Sequence, residues 1–369
     1  MSASLAAALA ARLAAVDAAG RRRVLRPLAP DGPVYARDAS GRRVLVFSSN
    51  DTLGLAQHPA VRAAWATGAG AGSARLIAGD RPAHHALEVA LAERFGRRVT
   101  LFSSGWHANL AVLTTLLQPG ELAASDALNH ASLIDGLRLA GARKAVLPHG
   151  SAAIPAGARV AVTEGLFSMD GDIPDLRAWA AGAAAVDAWT VVDEAHAVGV
   201  LGPDGRGAAA ACGVEPDVVV GTLGKALGSH GAFVVGPDDL HALLVSAGRT
   251  FLFTTGLPEG AAAAAAVALG LATDALRAQV AENAARLRAG LRARGFPSAG
   301  VGPIVPLVLG PRAMAVADAL WEAGFAVPGI RPPTVAPGTE RLRFSVSAAH
   351  TAAQVDALLA ALDRALETR

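Results

Sequence analysis

Short apolar runs alternate with alanine-rich stretches of helical length along most of this chain, and that alternation restricts the fold more than any other feature. Five runs rich in valine and other strand-forming residues predict buried strands at residues 98–103, 159–163, 190–193, 217–220 and 232–235. The segments that begin at Asn109, Leu176 and Pro258 predict helices. The sequence therefore predicts an α/β fold with a mainly parallel central sheet covered by helices.

The pattern changes after about residue 275, where helices and strands alternate in a second series. Helices are predicted at residues 274–295, 312–324 and 351–366, and strands at 304–309 and 341–347. We therefore expect residues 1–45 to form an N-terminal helix and arm, 46–275 a large α/β domain, and 276–369 a smaller C-terminal α+β domain. The first 20 residues predict an amphipathic helix that ends at Gly20.

Composition narrows the class of protein. Hydrophobic residues are 52% of the chain, but the excess is mostly alanine, and the longest low-polarity stretch, 260–272, is shorter than the roughly 20 residues of a membrane helix. Cys212 is the only cysteine, which excludes an internal disulfide and a cysteine-only metal site. The N-terminus lacks the basic and apolar segments of a signal peptide, and the arginine clusters are too short for a nucleic-acid patch. We expect a cytoplasmic protein with no metal, membrane or nucleic-acid partner.

A carboxylate stands at the end of one predicted strand, in the run Thr190-Val-Val-Asp-Glu-Ala-His196. Ligands in open α/β sheets gather at the carboxyl ends of strands. Asp193 can fix a cation or a protonated ring nitrogen there, and His196 points into the same crevice. Alone, the same acid would also suit a cap for the next helix.

The next strand ends in the glycine-rich turn Gly221-Thr-Leu-Gly-Lys-Ala-Leu-Gly228. A lysine among apolar neighbours is costly to bury when charged, so its pKa falls and its amine becomes nucleophilic. Schiff-base chemistry with an aldehyde requires such an amine, which makes Lys225 a candidate. The glycines let the backbone bend and approach a bulky ligand, although a surface lysine in a flexible loop would show a similar pattern.

Two further turns suit a phosphorylated, flat ligand. In Phe102-Ser-Ser-Gly-Trp-His-Ala-Asn109 a strand turns into a helix, where the N–H groups of Gly105 and Trp106 predict a phosphate site. His130 follows another strand, where an imidazole can stack on a ring. These turns, with Ser168, the acid and the lysine, supply every contact that pyridoxal 5′-phosphate (PLP) needs. The acid keeps the ring nitrogen protonated, which makes the ring an electron sink.

The chain resembles the α-oxoamine synthase family of fold-type I PLP enzymes over nearly its whole length. The matching stretches are 49–55 (SNDTLGL), 72–79 (GSARLIAG), 130–132, 163–172, 193–207, 222–225 (TLGK), 253–255 (FTT) and 331–343. Members condense an acyl-CoA with a small amino acid and release CO2 and CoA. The segment Arg75–Gly79 is most similar to the branch that joins L-alanine to a pimeloyl thioester in biotin synthesis.

The resemblance implies the cofactor contacts residue by residue. Lys225 holds PLP as a Schiff base and acts as the base, while Asp193 pairs with the ring nitrogen and His130 stacks on the ring. The ring hydroxyl region is contacted by Ser168 and His196. The phosphate is bound by Thr222, Gly105 and Trp106, and Thr254 or Thr255 reaches it from a partner subunit. The last contact implies a homodimer with shared active sites.

On the substrate side, the resemblance implies that Arg343 binds the amino-acid carboxylate and that Asn50 helps to hold the thioester. Arg21 and Thr334 match further substrate positions. The chain departs from the family at Thr52, where tyrosine is usual, and at the bulky turn that follows Gly105. Both departures put the acyl chain in doubt more than the cofactor.

Four other functions share some of these features. Another α-oxoamine synthase would use glycine with succinyl-CoA or acetyl-CoA, and the acyl group can arrive on CoA or on a carrier protein. Many aminotransferases of this fold use an active-site tyrosine, and the only tyrosine here is Tyr35. The letters DEAH at 193–196 also occur in one helicase group, but Lys225 is followed by Ala226 and no phosphate loop of the form GxxxxGK[ST] is present. A non-catalytic cofactor-binding protein would not need a substrate arginine.

Overall fold

The structure is a computed structural model that describes residues 4–367, so the first three residues of the predicted N-terminal helix lie outside it. The helices are α1 (Leu5–Ala18), α2 (Pro59–Trp65), α3 (Pro82–Phe95), α4 (Gly105–Leu116), α5 (Ala131–Leu139), α6 (Leu176–Ala184), α7 (Ala208–Ala211), α8 (Asp238–Ala247), α9 (Arg249–Leu252), α10 (Glu259–Leu271), α11 (Asp274–Ala293), α12 (Ala313–Glu322) and α13 (Ala352–Glu367). The strands are β1 (Ala29–Pro30), β2 (Tyr35–Arg37), β3 (Arg43–Val46), β4 (Arg98–Phe102), β5 (Leu122–Asp126), β6 (Arg143–Leu147), β7 (Ala158–Glu164), β8 (Trp189–Asp193), β9 (Val218–Thr222), β10 (Ala232–Gly236), β11 (Ile304–Val308), β12 (Phe325–Ala326), β13 (Gly329–Ile330) and β14 (Arg341–Ser345).

The central sheet contains seven strands in the order β4-β10-β9-β8-β7-β5-β6. Strand β10 is antiparallel to both of its neighbours, and the other pairs are parallel. Strands β9 and β10 are buried along their whole length, because helices cover both faces of the sheet. The predicted α/β fold with a mainly parallel sheet is confirmed.

The predicted elements lie close to their observed bounds, with one instructive exception. The helix predicted from Asn109 begins at Gly105, because the Ser104 side chain caps it by accepting a hydrogen bond from the N–H of His107 at 3.2 Å. The earlier start places the first turn of α4 directly after β4. That geometry is the one the predicted phosphate site requires.

Alanine allows α10 to pack closely in the core. Ala261, Ala264 and Ala265 are fully buried. A Cβ atom on Gly260 would lie only 2.0 Å from the carbonyl oxygen of Trp65, so the backbone of α10 touches α2 directly. In the part of the chain that the structure describes, no single helix has the length and apolar character to cross a membrane. Helices α10 and α11 meet that criterion only as a pair, and they are bent by 81°.

A second apolar core lies around two smaller sheets, β1-β2-β3-β12 and β11-β14-β13. Strand β3 of the N-terminal arm pairs in parallel with β12, and Phe47 packs in the same core as Phe344 and Leu358. The arm therefore contributes to the C-terminal layer, and the division of the chain at residues 45 and 275 stays a prediction. Helix α1 ends just before Gly20, whose φ is +63°, but it buries no side chain.

Four neighbouring strands of the central sheet end in polar residues. Strands β5, β7, β8 and β9 end at Asp126, Glu164, Asp193 and Thr222. The register places Glu164 beside Asp193, and Asp193 beside Val220 of β9. Because parallel strands end at the same edge of the sheet, these groups converge where α/β proteins bind ligands.

Candidate active site

Asp193 is a buried carboxylate that two neighbours hold in place. Its Oδ2 accepts a hydrogen bond from the side-chain amide of Asn109 at 2.7 Å, and its Oδ1 accepts one from the N–H of Ala195 at 2.9 Å. The same Asn109 amide donates to Ser132 Oγ at 2.9 Å, which ties α4 to α5. Asn109 was not predicted as a site residue. Its one local signal is a polar side chain on an otherwise apolar face of α4.

Lys225 follows β9 and lies close to the acid. Burial lowers the pKa of its amine to about 8, although Asp193 and then Glu164 oppose that shift. Among the described residues the amine has no hydrogen-bond partner. The predicted nucleophilic lysine therefore has the environment that Schiff-base chemistry needs.

The glycines of the lysine turn serve packing more than ligand approach. A Cβ atom on Gly221 would lie 2.3 Å from the ring of Phe233, and one on Gly228 would lie 2.4 Å from the backbone nitrogen of Ala56. Gly228 also has a φ of +58°. Gly224, in contrast, has no atom closer than 3.6 Å. The close approach inferred from the sequence thus takes place within the protein itself.

His130 presents its ring at the mouth of the site. Its backbone N–H donates to Glu164 Oε1 at 2.6 Å, its Nδ1 lies 2.8 Å from Ser132 Oγ, and its ring meets Trp106 edge-on with centroids 6.2 Å apart. Desolvation lowers the pKa of His130, while Asp193 opposes the shift. An exposed ring held on one side in this way can stack on a planar ligand.

Glu164 is a second site residue that the sequence analysis did not single out, although it lies in the 163–172 motif. Burial, reinforced by the charge of Asp193, raises the pKa of Glu164 well above its ordinary value. Its carboxylate holds the backbone of both His130 and Ser168. Glu164 therefore positions two predicted cofactor contacts at once.

The predicted phosphate turn has open space around it. The first N–H groups of a helix have no carbonyl partner within the helix, and no atom lies within 4 Å of a Cβ built on Gly105. Beside this turn, Ser103 Oγ donates to the carbonyl oxygen of Thr255 at 3.0 Å, so the 253–255 motif lies against it in the same chain. Thr222 Oγ1 donates to Gly231 O at 3.1 Å and accepts from the N–H of Gly224 at 3.3 Å.

Arg343 is buried on β14, and among residues 4–367 it has no acidic partner. Its guanidinium donates to the carbonyl oxygen of Ser168 and to Ser345 Oγ at 2.9 Å, and it lies 3.5 Å from Asn50 Oδ1. Burial lowers the pKa of Arg343 to about 10. Arg341, two residues earlier, instead forms an ion pair with Asp170 at 2.5 Å. The positive charge of Arg343 is thus left for a ligand.

His196 lies among the other predicted site residues. Burial, and then the charges of Lys225 and Arg343, lower the pKa of His196 well below its ordinary value. Its ring is therefore neutral near pH 7 and has one N–H to donate. Thr52, which belongs to the same sequence motif as Asn50, is buried, and its hydroxyl has no hydrogen-bond partner within the part of the chain that the structure describes.

The last two predicted substrate contacts are less closely tied to this group. Arg23 Nη2 lies 3.5 Å from Thr334 Oγ1, and Arg331 donates to the carbonyl oxygen of Arg22 at 2.6 Å. The 21–23 segment thus lies beside Thr334. Arg21 itself is exposed, and its role in binding substrate stays a prediction.

The site fits PLP on its own geometry. A fixed carboxylate, a free amine with a lowered pKa, unpaired amide N–H groups at a helix start and an exposed imidazole lie around one strand edge. Schiff-base, ring-nitrogen, phosphate and stacking contacts call for these four kinds of group.

Comparisons with known proteins agree with this geometry. Residues 42–362 match the model of the family "Aminotransferase class I and II". The chain therefore belongs to that family. It is also similar to the solved serine palmitoyltransferase of S. paucimobilis with PLP and myriocin bound. That structure is 30% identical with a TM-score of 0.89 and covers 97% of this chain and 96% of its own.

Named relatives point to one enzyme. The 8-amino-7-oxononanoate synthase of Anaeromyxobacter sp. (strain K) is 48% identical over 96% of this chain and 94% of its own length. The solved 8-amino-7-oxononanoate synthase of Francisella tularensis is 28% identical with a TM-score of 0.76, and it covers 88% of this chain and 98% of its own. The resemblance drawn from the motifs, the fold type and the PLP cofactor are confirmed.

Proposed function

We propose that this enzyme condenses L-alanine with a pimeloyl thioester, carried on CoA or on a carrier protein, to give 8-amino-7-oxononanoate, CO2 and the free thiol in biotin synthesis. The names of its relatives support this reaction. The observation that carries it is the buried guanidinium of Arg343, which has no carboxylate partner among the described residues and lies near Lys225 with its lowered pKa. Such a pair suits an amino acid whose carboxylate is bound while its α-proton is removed.

When bound, PLP supplies an electron sink for negative charge at the α-carbon of the amino acid. Lys225 would hold it covalently, Asp193 would face the ring nitrogen, and His130 would lie on the ring. Ser168 and His196 would contact the ring hydroxyl region. The phosphate would be bound by Gly105, Trp106, Thr222 and, from a second copy of the chain, Thr254 or Thr255.

Arg343 and Asn50 orient the substrate in this proposal. A guanidinium binds a carboxylate through two parallel hydrogen bonds, which fixes the direction of the α-carbon. Lys225 Nζ, released when the amine of the substrate takes its place, then takes the proton from the α-carbon, since a free amine whose pKa is about 8 is partly neutral at physiological pH. His196, with its single N–H, or His130 donates to the thioester carbonyl oxygen as negative charge develops there.

The proposal includes a homodimer in the cytoplasm. Two apolar side chains in the family motifs are strongly exposed in the single chain, Ile77 at 80% and Phe253 at 72%. Phe253 directly precedes the two threonines assigned to the partner's phosphate site. If a second copy of the chain covers Phe253, the hydroxyl groups of Thr254 and Thr255 come to lie at the cofactor of that second copy. The single cysteine suits the reducing compartment of the cytoplasm.

The test measures CO2 and thiol release from L-alanine or glycine with pimeloyl-CoA, pimeloyl carrier protein, succinyl-CoA and acetyl-CoA. We expect L-alanine with a pimeloyl thioester to give the highest kcat/KM, and Lys225→Ala to give none. Faster turnover of glycine with succinyl-CoA or acetyl-CoA would assign the chain to another α-oxoamine synthase branch. Transamination without acyl transfer would make it an aminotransferase.

A further inference from the structure

A histidine outside the site residues described above bridges two carboxylates. His149 follows β6, and its Nδ1 lies 3.0 Å from Asp126 Oδ1 while its Nε2 lies 2.8 Å from Asp172 Oδ2. An ionised carboxylate can only accept hydrogen bonds, and a neutral imidazole has only one N–H. Both contacts are hydrogen bonds only when the ring carries two protons. With both acids ionised, the geometry therefore requires an imidazolium.

The two acids that face the ring come from different elements. Asp126 ends β5, is buried, and also accepts hydrogen bonds at 2.8 Å from the backbone N–H groups of Leu128 and Gly150. Asp172 lies at the end of the loop after β7. Burial alone would lower the pKa of His149, but Asp172 and Asp126 outweigh it and raise the pKa above 6.5.

Asp172 closes a short turn at residues 167–172, here called the site turn. The N–H of Phe167 donates to Asp172 O at 3.0 Å, and the N–H of Gly171 donates to Phe167 O at 2.9 Å. The ring of Phe167 also meets that of His149 edge-on, with centroids 4.4 Å apart. His149 thus holds the site turn at the residue where the turn closes.

The other side of the site turn touches the substrate arginine. The carbonyl oxygen of Ser168 accepts a hydrogen bond from Arg343 Nε, and Asp170 pairs with Arg341 of the same strand. The other groups that hold the Arg343 guanidinium are two neutral oxygens, Ser345 Oγ and Asn50 Oδ1. A shift of the site turn would therefore move the group assigned to the substrate carboxylate.

We propose that His149, as an imidazolium, is a positioning residue that fastens the site turn to the end of β5 and thereby orients Arg343 for the amino-acid substrate. The substrate part of this inference rests on the proposed function, whereas the bridge itself does not. A group with a raised pKa in the folded protein makes its contribution below that pKa and loses it as the pH rises through it. The bridge is therefore intact below the raised pKa of His149 and opens as the pH rises through it.

The bridge is tested by titrating histidine-labelled holoenzyme by NMR, with His149→Gln used to assign the signal. We expect His149 to titrate above 6.5, and we expect its pKa to fall in Asp172→Asn because one of the two charges is lost. A pKa of 6.5 or below in the wild type, or no change in Asp172→Asn, overturns the bridge.

The positioning role is tested by measuring KM for L-alanine against pH. We expect KM to rise roughly tenfold as His149 loses its proton, the scale of one lost charge-assisted hydrogen bond. His149→Gln should show the high KM at every pH, with kcat near the wild-type value and without that step. A His149→Gln enzyme that keeps both the low KM and the step contradicts the role.

His241→Gln is the matched control, because His241 is half-buried and hydrogen-bonded to Thr100 on another part of the sheet. We expect its KM profile to follow the wild type, and thermal unfolding of each variant checks that it is folded. If the wild-type holoenzyme does not turn over L-alanine, the proposed function fails. The NMR titration then still decides whether the bridge exists.

Discussion

Replacing Arg343 with methionine separates function from stability more sharply than any other single change. Methionine fills a similar volume but removes the charge and the donors. In the free enzyme Arg343 has only neutral oxygens around it, those of Ser168, Ser345 and Asn50. Under the proposed function, the bound substrate carboxylate becomes the partner of that charge.

The loss of activity follows from that partner. Removing one member of a buried charge pair costs about 3–5 kcal/mol, and each 1.4 kcal/mol is a factor of ten, so kcat/KM for L-alanine should fall by about one hundredfold to several thousandfold. The loss should appear mainly in KM for the amino acid. The KM for the acyl thioester should change much less, because Arg343 is not assigned to it.

Stability should barely change. Burial lowers the pKa of Arg343 from its ordinary value to about 10, which corresponds to about 3 kcal/mol against the charged form in the folded protein. Methionine removes that cost but also removes three hydrogen bonds to neutral groups, worth about 1 kcal/mol each. The two terms nearly cancel, so the free energy of unfolding should stay within about 1 kcal/mol of the wild type.

Steady-state kinetics and urea unfolding of Arg343→Met and Arg341→Met check both statements. Arg341 pairs with Asp170, so its loss should destabilise the fold by about 1–3 kcal/mol and affect the KM for L-alanine less. The reasoning is refuted if Arg343→Met binds L-alanine normally. It is also refuted if Arg343→Met is the less stable of the two.

Three further outcomes are expected. Capture of PLP by the apo protein needs the neutral amine of Lys225, so its rate, followed by visible absorbance, should rise with pH to a midpoint near 8 and vanish in Lys225→Ala. Asn109→Leu removes a donor from the buried acid of β8, so it should weaken PLP binding by about tenfold or more in a fluorescence titration; an unchanged affinity would contradict that role. Gly165→Ala puts a Cβ 2.1 Å from Glu194 Oε2 and should lower the free energy of unfolding by about 1–3 kcal/mol, whereas Gly270→Ala, with open space around it, should not.

The strands of the central sheet could be predicted because buried parallel strands are continuous apolar runs. The run at 190–193 appears as β8 and the run at 217–220 as β9, each within two residues. Strand direction is not encoded in such a run. The reversal of β10 follows from its connection to β9: residues 223–231 are too few for a parallel crossover, which takes about a dozen residues or more.

The site could be predicted only where a strand end and a residue type coincide. Asp193 ends β8 and Lys225 follows three residues after the end of β9, so the sequence could single out both as candidates. Asn109 and Glu164 act through partners far along the chain, since Asn109 bonds to an acid 84 residues later and Glu164 to a backbone N–H 34 residues earlier. No local pattern contains such a partner.

The family motif that contains Arg341 and Arg343 does not by itself show which of the two arginines is left without an acidic partner. Both are buried on β14, and residues two apart on a strand face the same side, so burial and periodicity treat them alike. The site turn separates them, because Asp170 neutralises the first and the carbonyl oxygen of Ser168 leaves the second charged and open. Under the proposed role of Arg343, the choice between the two arginines thus depends on where the site turn lies. The contacts by which His149 would fix that position come from two segments far apart in the sequence, the end of β5 at Asp126 and the site turn at Asp172.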